Sequence, residues 1–418
     1  MGDVGVATER TGAGTGGGLG AYRGVLGLPG VAALTVVGFF ARIPSAAAPI
    51  TLTLHVVLTL RHGWAAAGLV GAAATVGMAI GAPLLGRLVD RRGLRPMLVL
   101  TVLAEAVYWG AAPYLSYPAL LVGAFAGGVL GLPVYSVIRQ SLAALVPPRQ
   151  RRPAFALDSM SVETSYIIGP ALGAFLALQV STPAVMWMVG AGWVASGLAL
   201  MVLDPPTRTP QAPIDGPTPP VREWLDLRLI GALLATSAAV FVVFGTELSM
   251  IAGLETSGQA GWIAVVNAVW CLASLGGGFV YGAARRSPPL AVLVAGLAAV
   301  SLPVALGGPW WSYALLLVPA GLLCAPSLAA SAEAVSVLAP EHARGTVTGL
   351  HGSANTLGGA AATPLTGLLI DHGSPAVAIL AVGAVGIALA TAAGLAVRRP
   401  RTPVAVAPVA SSAGSQAI

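Results

Sequence analysis

Long apolar runs, separated by short charged segments, constrain this chain more than any other feature. Between Thr164 and Leu203 the sequence carries no charged residue. Hydrophobic residues make up 56% of the chain and charged residues 9%, against about 45–50% and 25% in soluble proteins. A bilayer core of about 30 Å needs about 20 helical residues, and lipid cannot satisfy a backbone hydrogen bond. Each long run therefore predicts a membrane helix.

The runs predict an all-α membrane protein with twelve spans. Arginine clusters and turns rich in Pro, Gly or Ser divide one span from the next. The first six spans are 25–59, 64–86, 96–114, 119–146 and two that meet at a turn at 181–183. The second six are 229–252, 261–283, 290–306, 310–338, 345–370 and 375–397.

The spans group into two bundles of six helices, residues 25–203 and residues 229–397. Between them, residues 204–228 are rich in Pro and charge and predict a cytoplasmic linker. Residues 1–24 and 398–418 predict disordered tails. Since no apolar run precedes Val25, we expect the first span to act as an uncleaved anchor rather than a signal peptide.

The basic residues show which ends of the spans face the cytoplasm. All 21 are arginine, and only Arg42 and Arg61 fall outside segments that the span count places on one side. The positive-inside rule therefore predicts that both termini lie in the cytoplasm. We expect the protein to be in the cell membrane. It also accounts for the net charge of +6 without a nucleic-acid partner.

An internal repeat supports two equivalent halves. The segment LVPPRQRRPAFALDS, from Leu145, aligns with LAPEHARGTVTGLHG, from Leu338, at an offset of 193 residues. Parallel repeats of this kind place a binding site between the halves. At an offset of 192, Gly86 meets Gly278 but Asp90 meets Gly282, so the second half lacks the acid.

The segment GAPLLGRLVDRRGLRP joins the second and third spans through a cluster of charges. Because an Arg or Asp at the bilayer centre costs about 2.5–3.5 kcal/mol on insertion scales, we expect an interfacial loop here. Its spacing resembles the pattern G-x-L-x-D-R-x-G-R-[RK] of the major facilitator superfamily of secondary transporters, with Leu94 where the family usually has a basic residue. The two halves and the polar linker extend this resemblance over residues 25–397.

The resemblance implies that the cluster is a conformational latch between the halves. The residues that match the pattern and would form the latch are Gly86, Asp90, Arg91, Gly93 and Arg95. The alternative is that the arginines only anchor the topology. Anchoring does not require the negative charge of Asp90.

The fifth span carries a second resemblance. The segment IGPALGA, with Gly169, Pro170 and Gly173, is similar to the end of the antiporter motif of drug/proton antiporters in this superfamily. Ser165 and Ala174 stand where that motif commonly has glycine. Small residues let helices approach closely and proline permits a bend, so helix packing is the alternative reading. The resemblance favours export.

Ionisable residues within the spans are candidates for proton coupling. A carboxylate in a low-dielectric site can load and release a proton near neutral pH. We predict Glu163 first and Glu105 second, with Arg42 as a buried cation that needs a partner, for which Glu163 is the candidate. Each acid could instead be permanently paired. For Asp158 and Arg139, nearer the ends of their spans, a structural charge pair is the simpler interpretation.

Other polar residues are weaker candidates. His351 aligns with Asp158 across the repeat, although a single helical histidine is more often structural. Substrate-lining candidates are Tyr135, Asn267, Trp270, Asn355 and Gln140; Trp and Tyr are as often interfacial anchors. Cys271 and Cys324 lie in apolar runs, where small buried hydrophobic roles are expected.

The sequence thus predicts a secondary transporter that works by alternating access. Export of a drug-like or amphipathic compound in exchange for protons is the leading hypothesis, and uptake of a small metabolite by proton symport is the alternative. A membrane-embedded enzyme would need nucleophile and base at matched depth, and a receptor would need an extramembrane domain; the sequence offers neither. We expect no cofactor, no metal site and a monomer.

Overall fold

The computed structural model describes residues 19–208, 224–284 and 286–398. All regular elements in these ranges are helices, in agreement with the predicted fold class. The predicted C-terminal tail after residue 398 and most of the linker at 204–228 lie outside the described residues. So does most of the N-terminal tail.

The first half holds seven helices that follow a short N-terminal one. A π-helical turn, His55–Thr59, extends the second helix. Their bounds are α1 Leu19–Leu26, α2 Val31–Leu54, α3 Trp64–Arg92, α4 Leu94–Ala111, α5 Tyr117–Leu130, α6 Val134–Leu145, α7 Arg151–Gln179 and α8 Thr182–Leu203.

The second half holds six helices. The third of them is short and continues as a 3₁₀ turn, Leu302–Leu306. Their bounds are α9 Leu227–Thr256, α10 Ile263–Ala283, α11 Leu290–Ser301, α12 Trp310–Leu338, α13 Arg344–His372 and α14 Pro375–Arg398.

Length and composition make this a multi-pass membrane protein. Within the described residues, ten helical segments are long and apolar enough to cross a bilayer, α5 and α6 counting as one. Leu290–Leu306 is a shorter apolar segment, and α13 is not among the ten. Large apolar side chains face outward, with Val202 88% exposed, while Arg42 is 1% exposed inside. This distribution suits a lipid surround.

The halves pack internally and against each other. Within the first half α2 lies against α7 and α8, and α3 against α5; within the second, α9 lies against α13 and α14, and α10 against α12. Between the halves, α3 and α6 contact α13, and α7 contacts α10 and α12. These contacts form two seams, which we call the α3–α13 seam and the α7–α10 seam.

The charge cluster after the second span is helical rather than a loop. Helix α3 runs on to Arg92, well past the predicted end at Gly86, and Gly93 alone separates it from α4. Gly93 has a φ of 85°, a backbone conformation that other residues rarely adopt. Arginines suit the last turn of a helix because the carbonyl end of its dipole is negative. The arginines therefore extend the helix beyond the apolar region.

Two other segments differ from the prediction. The fourth span is broken at Gly131–Pro133 into α5 and α6, because Pro133 cannot donate the hydrogen bond that a continuous helix needs. Near the N-terminus, Leu19–Leu26 forms α1 with Tyr22 and Val25 buried, so part of the predicted disordered tail is an ordered helix.

Candidate functional site between the two halves

The α3–α13 seam brings two glycines into backbone contact. A Cβ atom on Gly86 would lie 2.2 Å from the carbonyl oxygen of Gly345, and one on Gly345 would lie 2.6 Å from that of Gly86. Any larger side chain at either position would force the helices apart. Gly86 of the predicted latch therefore allows the first half to approach the start of α13.

Asp90 closes this seam by capping a helix of the other half. Its Oδ1 accepts a hydrogen bond from the Gly345 amide at 2.7 Å, and its Oδ2 accepts from the amide and hydroxyl of Thr346, each at 2.7 Å. Both amides belong to the first turn of α13, where backbone N–H groups lack intrahelical partners and the dipole is positive. The carboxylate thus satisfies orphan donors across the interface, as a capping residue does within one chain segment.

The remaining latch residues have peripheral positions. Arg95 pairs with Asp204 at 2.9 Å, both of them exposed, and Arg208 donates to the carbonyl oxygen of Asp90. Arg91 is exposed and has no ion pair within the described ranges. Leu94, the departure from the family pattern, is buried in the apolar core of the first half.

A buried charge cluster lies within the first half, apart from the predicted latch residues. The Asp158 carboxylate of α7 pairs with the guanidinium of Arg42 from α2, and accepts from Arg139 Nε of α6 at 3.0 Å. Arg42 also donates to Ser161 at 3.3 Å and lies 5.4 Å from the ring centroid of Tyr135. The predicted pairing of Arg42 with Glu163 is wrong. Asp158 takes that place.

The cluster continues into the second half through a histidine. Arg139 Nη1 lies 3.4 Å from His351 Nδ1, and His351 Nε2 lies 3.1 Å from the Ser331 hydroxyl. A small cavity of about 10 Å³, the size for one water molecule, adjoins Arg139 and His351. Asp158 and His351, which align in the repeat, therefore both contact Arg139 at the seam. That alignment was the sequence signal for this network.

Glu163 occupies a different environment on the same helix, α7. It is half-buried and accepts a weak hydrogen bond from the Cys324 thiol of α12 at 3.4 Å and a second one from the Ser274 hydroxyl of α10. It also interacts electrostatically with Glu247 of α9. Neither carboxylate forms an ion pair among the described residues. A thiol and a hydroxyl are neutral donors, so these two acids from opposite halves lack a counter-charge among the described residues.

Glu105 lies away from both seams and binds the segment that interrupts the fourth predicted span. Its Oε1 accepts from the Leu132 amide at 3.2 Å, and its Oε2 accepts from Trp109 Nε1 at 2.7 Å. Leu132 lies between α5 and α6, where the interrupted helix frees a backbone N–H. Glu105 thus has two strong donors and contacts only the first half.

The glycines of the second resemblance lie where α7 packs on α2. A Cβ atom on Gly169 would be 2.6 Å from the Cβ of Ala46, and one on Gly173 would be 3.2 Å from Thr51 Oγ1. Pro170 lies inside α7 between them. The contact brings Asp158 and Arg42 together from the two helices, as the packing interpretation expects.

The predicted substrate-lining residues do not share one environment. Tyr135 lies beneath Arg42, and Asn355 donates to the His351 carbonyl oxygen at 2.9 Å within α13. Asn267 is half-buried on α10, while Trp270 is buried in the apolar core of the second half. Gln140 donates to the Thr207 carbonyl oxygen at 3.3 Å. Tyr135 and Asn355 therefore contact the charge network, at Arg42 and His351, while Asn267 and Trp270 lie on α10.

The two helical halves pack along two seams, and the Asp90 carboxylate caps a helix across one of them. The sequence model for the Major Facilitator Superfamily matches residues 30–282, more than half of the chain. The chain therefore belongs to the Major Facilitator Superfamily, a family of transporters that bind small molecules. No curated protein sequence matches the chain.

Solved structures share this fold at low sequence identity. The human organic anion transporter MFSD10 (TETRAN) matches with a TM-score of 0.72 and 18% identity, over 87% of this chain and 99% of that one. The E. coli fucose:proton symporter FucP gives 0.68 and 18%, over 88% and 98%. A bacterial homologue of the iron transporter ferroportin gives 0.69 and 13%, over 88% and 98%.

Proposed function

We propose that this protein is a proton-coupled secondary transporter that exports a drug-like or amphipathic molecule by alternating access. The observation that carries the proposal is the Asp90 cap on α13, because it joins the halves only when they meet at the arginine-rich end. The halves can separate at that end only if the cap breaks. The site is then exposed to the side of the membrane that the arginine-rich end faces. The cap is then the latch of the closed state.

In this proposal the chain crosses the cell membrane twelve times with both termini in the cytoplasm. The ten long segments, Leu290–Leu306 and α13 supply the spans. The arginine-rich end is cytoplasmic, in keeping with the positive-inside rule. The α3–α13 seam, which the Asp90 cap closes, is therefore at the cytoplasmic end of the protein.

Glu163 is the proposed proton-coupling residue. Its hydrogen-bond partners, Cys324 and Ser274, are neutral, and Glu247 adds a second negative charge from the other half. A proton or a positively charged substrate group would relieve that repulsion. Competition between the two for the same carboxylate is a direct way to couple proton entry to substrate release.

Two observations bear on direction. The segment around Gly169 and Pro170 is similar to an antiporter motif and favours export. Structures with this fold include an organic anion transporter as well as the proton symporters FucP and XylE. Uptake by proton symport is therefore the second candidate.

Transport in proteoliposomes tests the proposal. Vesicles that carry the protein and an imposed proton gradient would be screened with amphipathic compounds, and we expect gradient-driven movement that collapses with a protonophore. Cells that lack the protein should accumulate more of the compound. Transport that does not depend on the gradient would exclude proton coupling. Lower accumulation in cells that lack the protein would indicate uptake rather than export.

The latch is tested by Asp90→Asn, with Asp204→Asn as its matched control. Asp204 is an exposed carboxylate of the same end, and its ion pair stays within the first half. We expect Asp90→Asn to insert normally but to lose most transport, because the asparagine cannot supply two charged acceptors to α13. Full transport by Asp90→Asn would exclude the latch role. A loss with Asp204→Asn as well would indicate a general charge effect.

A further inference from the structure

The α7–α10 seam lacks the acid that closes the α3–α13 seam. In the internal repeat Asp90 corresponds to Gly282, and Gly86 corresponds to Gly278. Both glycines lie in the last two turns of α10, which faces α7 of the first half. The second half therefore presents a helix end of the same kind with no carboxylate to bind the opposite half.

Tyr22 of α1 fills the position of the missing acid. Its hydroxyl donates to the carbonyl oxygens of Phe279, at 2.7 Å, and Gly278, at 3.1 Å. Its ring stacks on Phe279 with centroids 5.2 Å apart and an interplanar angle of 13°. Tyr22 is 7% exposed, so this is a packed contact rather than a surface one.

Gly282 makes room for the hydroxyl. A Cβ atom at Gly282 would lie 2.2 Å from the Tyr22 hydroxyl oxygen, closer than any real side chain allows, and 2.7 Å from the Cβ of Ala156 on α7. Helix carbonyls keep a second lone pair after their intrahelical hydrogen bond, so both can accept from Tyr22. Burial raises the pKa of Tyr22 to about 12, so the hydroxyl keeps its proton and remains a donor.

The helix that carries Tyr22 also packs on the first half. Helix α1 contacts α2 and α7, and its Val25 is fully buried in the core of that half. On the opposite side of the seam, Arg152 of α7 donates to the Ala284 carbonyl oxygen at 3.0 Å. The end of α10 is thus attached to the first half from two directions.

We propose that α1 is a strap that holds the α7–α10 seam closed, with Tyr22 as the positioning residue that does there what Asp90 does at the α3–α13 seam. This inference rests on the proposed alternating access. Since the halves separate as bodies, release of either seam weakens the other. The strap therefore biases the whole molecule toward the state closed at the arginine-rich end.

Hydrogen exchange of the reconstituted full-length protein tests the strap without any substrate. Tyr22→Phe removes the hydrogen bonding of the hydroxyl but keeps the ring stack. We expect this variant to speed exchange about three- to tenfold in peptides from the α7–α10 seam, and also at the Gly345 and Thr346 amides of the α3–α13 seam. Tyr117→Phe is the matched control, because its hydroxyl donates to Ala66 within the first half.

The exchange rates at the α3–α13 seam decide the outcome. Faster exchange confined to α1 and α10, or exchange equal to that of Tyr117→Phe, would show that Tyr22 only anchors its own helix and would overturn the proposal. Faster exchange at both seams supports it. Thermal unfolding in detergent, run in parallel, should leave the Tyr22→Phe midpoint near that of the control. Since the readout needs neither substrate nor gradient, a failed transport assay would reject the proposed function and leave this result standing.

Discussion

The buried cluster around Asp158 and the pair formed by Glu163 and Glu247 hold charge inside the protein under opposite conditions. In the cluster one carboxylate binds two arginines, and all three side chains are buried. In the pair the two carboxylates have no counter-charge among the described residues, and the hydrogen-bond partners of Glu163 are the neutral Cys324 and Ser274. Burial of charge alone is therefore a poor guide to function. Compensation of the charge distinguishes a structural group from one that can exchange a proton.

The cluster should be the most costly of these groups to disturb. Asp158→Asn would leave Arg42 and Arg139 buried with no counter-charge, and breaking such pairs costs about 3–5 kcal/mol in soluble proteins. We expect low yield and a lowered thermal unfolding midpoint in detergent.

A double variant separates charge from packing at this cluster. Arg42→Gln combined with Asp158→Asn restores the net charge of the cluster and should recover part of the loss. An Asp158→Asn protein as stable as the wild type would mean that the arginines find other partners, and the distinction between the two groups would fail.

Glu105 should show an intermediate cost and no change in coupling. Glu105→Gln keeps one carbonyl acceptor but loses the second, which leaves either Leu132 N–H or Trp109 Nε1 without its partner and costs about 1–3 kcal/mol. We expect a lower unfolding midpoint while transport keeps its dependence on the proton gradient. Loss of that dependence would return Glu105 to the coupling candidates.

Glu163 should show the smallest cost in stability and the largest change in mechanism. Glu163→Gln keeps an oxygen that can accept from Cys324 or Ser274 and relieves repulsion with Glu247, so we expect a free energy of unfolding within about 1 kcal/mol of the wild type. Gradient-driven transport should disappear while substrate exchange continues. Glu105→Gln is the matched control. Unaltered gradient dependence in Glu163→Gln would move the coupling role elsewhere.

Hydropathy and motif spacing predicted much of the fold because they report local physics. Most helix bounds fall near the predicted spans, and Asp90 was singled out because its charge serves no topological purpose. The cap on α13 could not be predicted in the same way. It requires the contact between Gly86 and Gly345, which is a property of helix packing rather than of either segment.

The partner of Arg42 shows where such reasoning stops. Asp158 and Glu163 are five positions apart on α7, which places them about 140° apart around a helix with 3.6 residues per turn. Only one of them can face α2, and the sequence does not say which face α2 meets. Tyr22 was missed for a related reason: α1 is a short helix in a Gly-rich region, and its stability comes from tertiary contacts.

The 3₁₀ turn that ends the ninth predicted span has a consequence for the match between protein and bilayer. The α-helical residues Leu290–Ser301 rise about 18 Å, while Leu302–Leu306, at about 2.0 Å per residue, add about 10 Å. The total of about 28 Å is close to the hydrocarbon thickness. A purely α-helical segment with the same number of residues would be about 2–3 Å shorter. In the proposed twelve-span arrangement, stretching one turn thus limits hydrophobic mismatch here, and the surrounding lipid need not thin to cover Leu306.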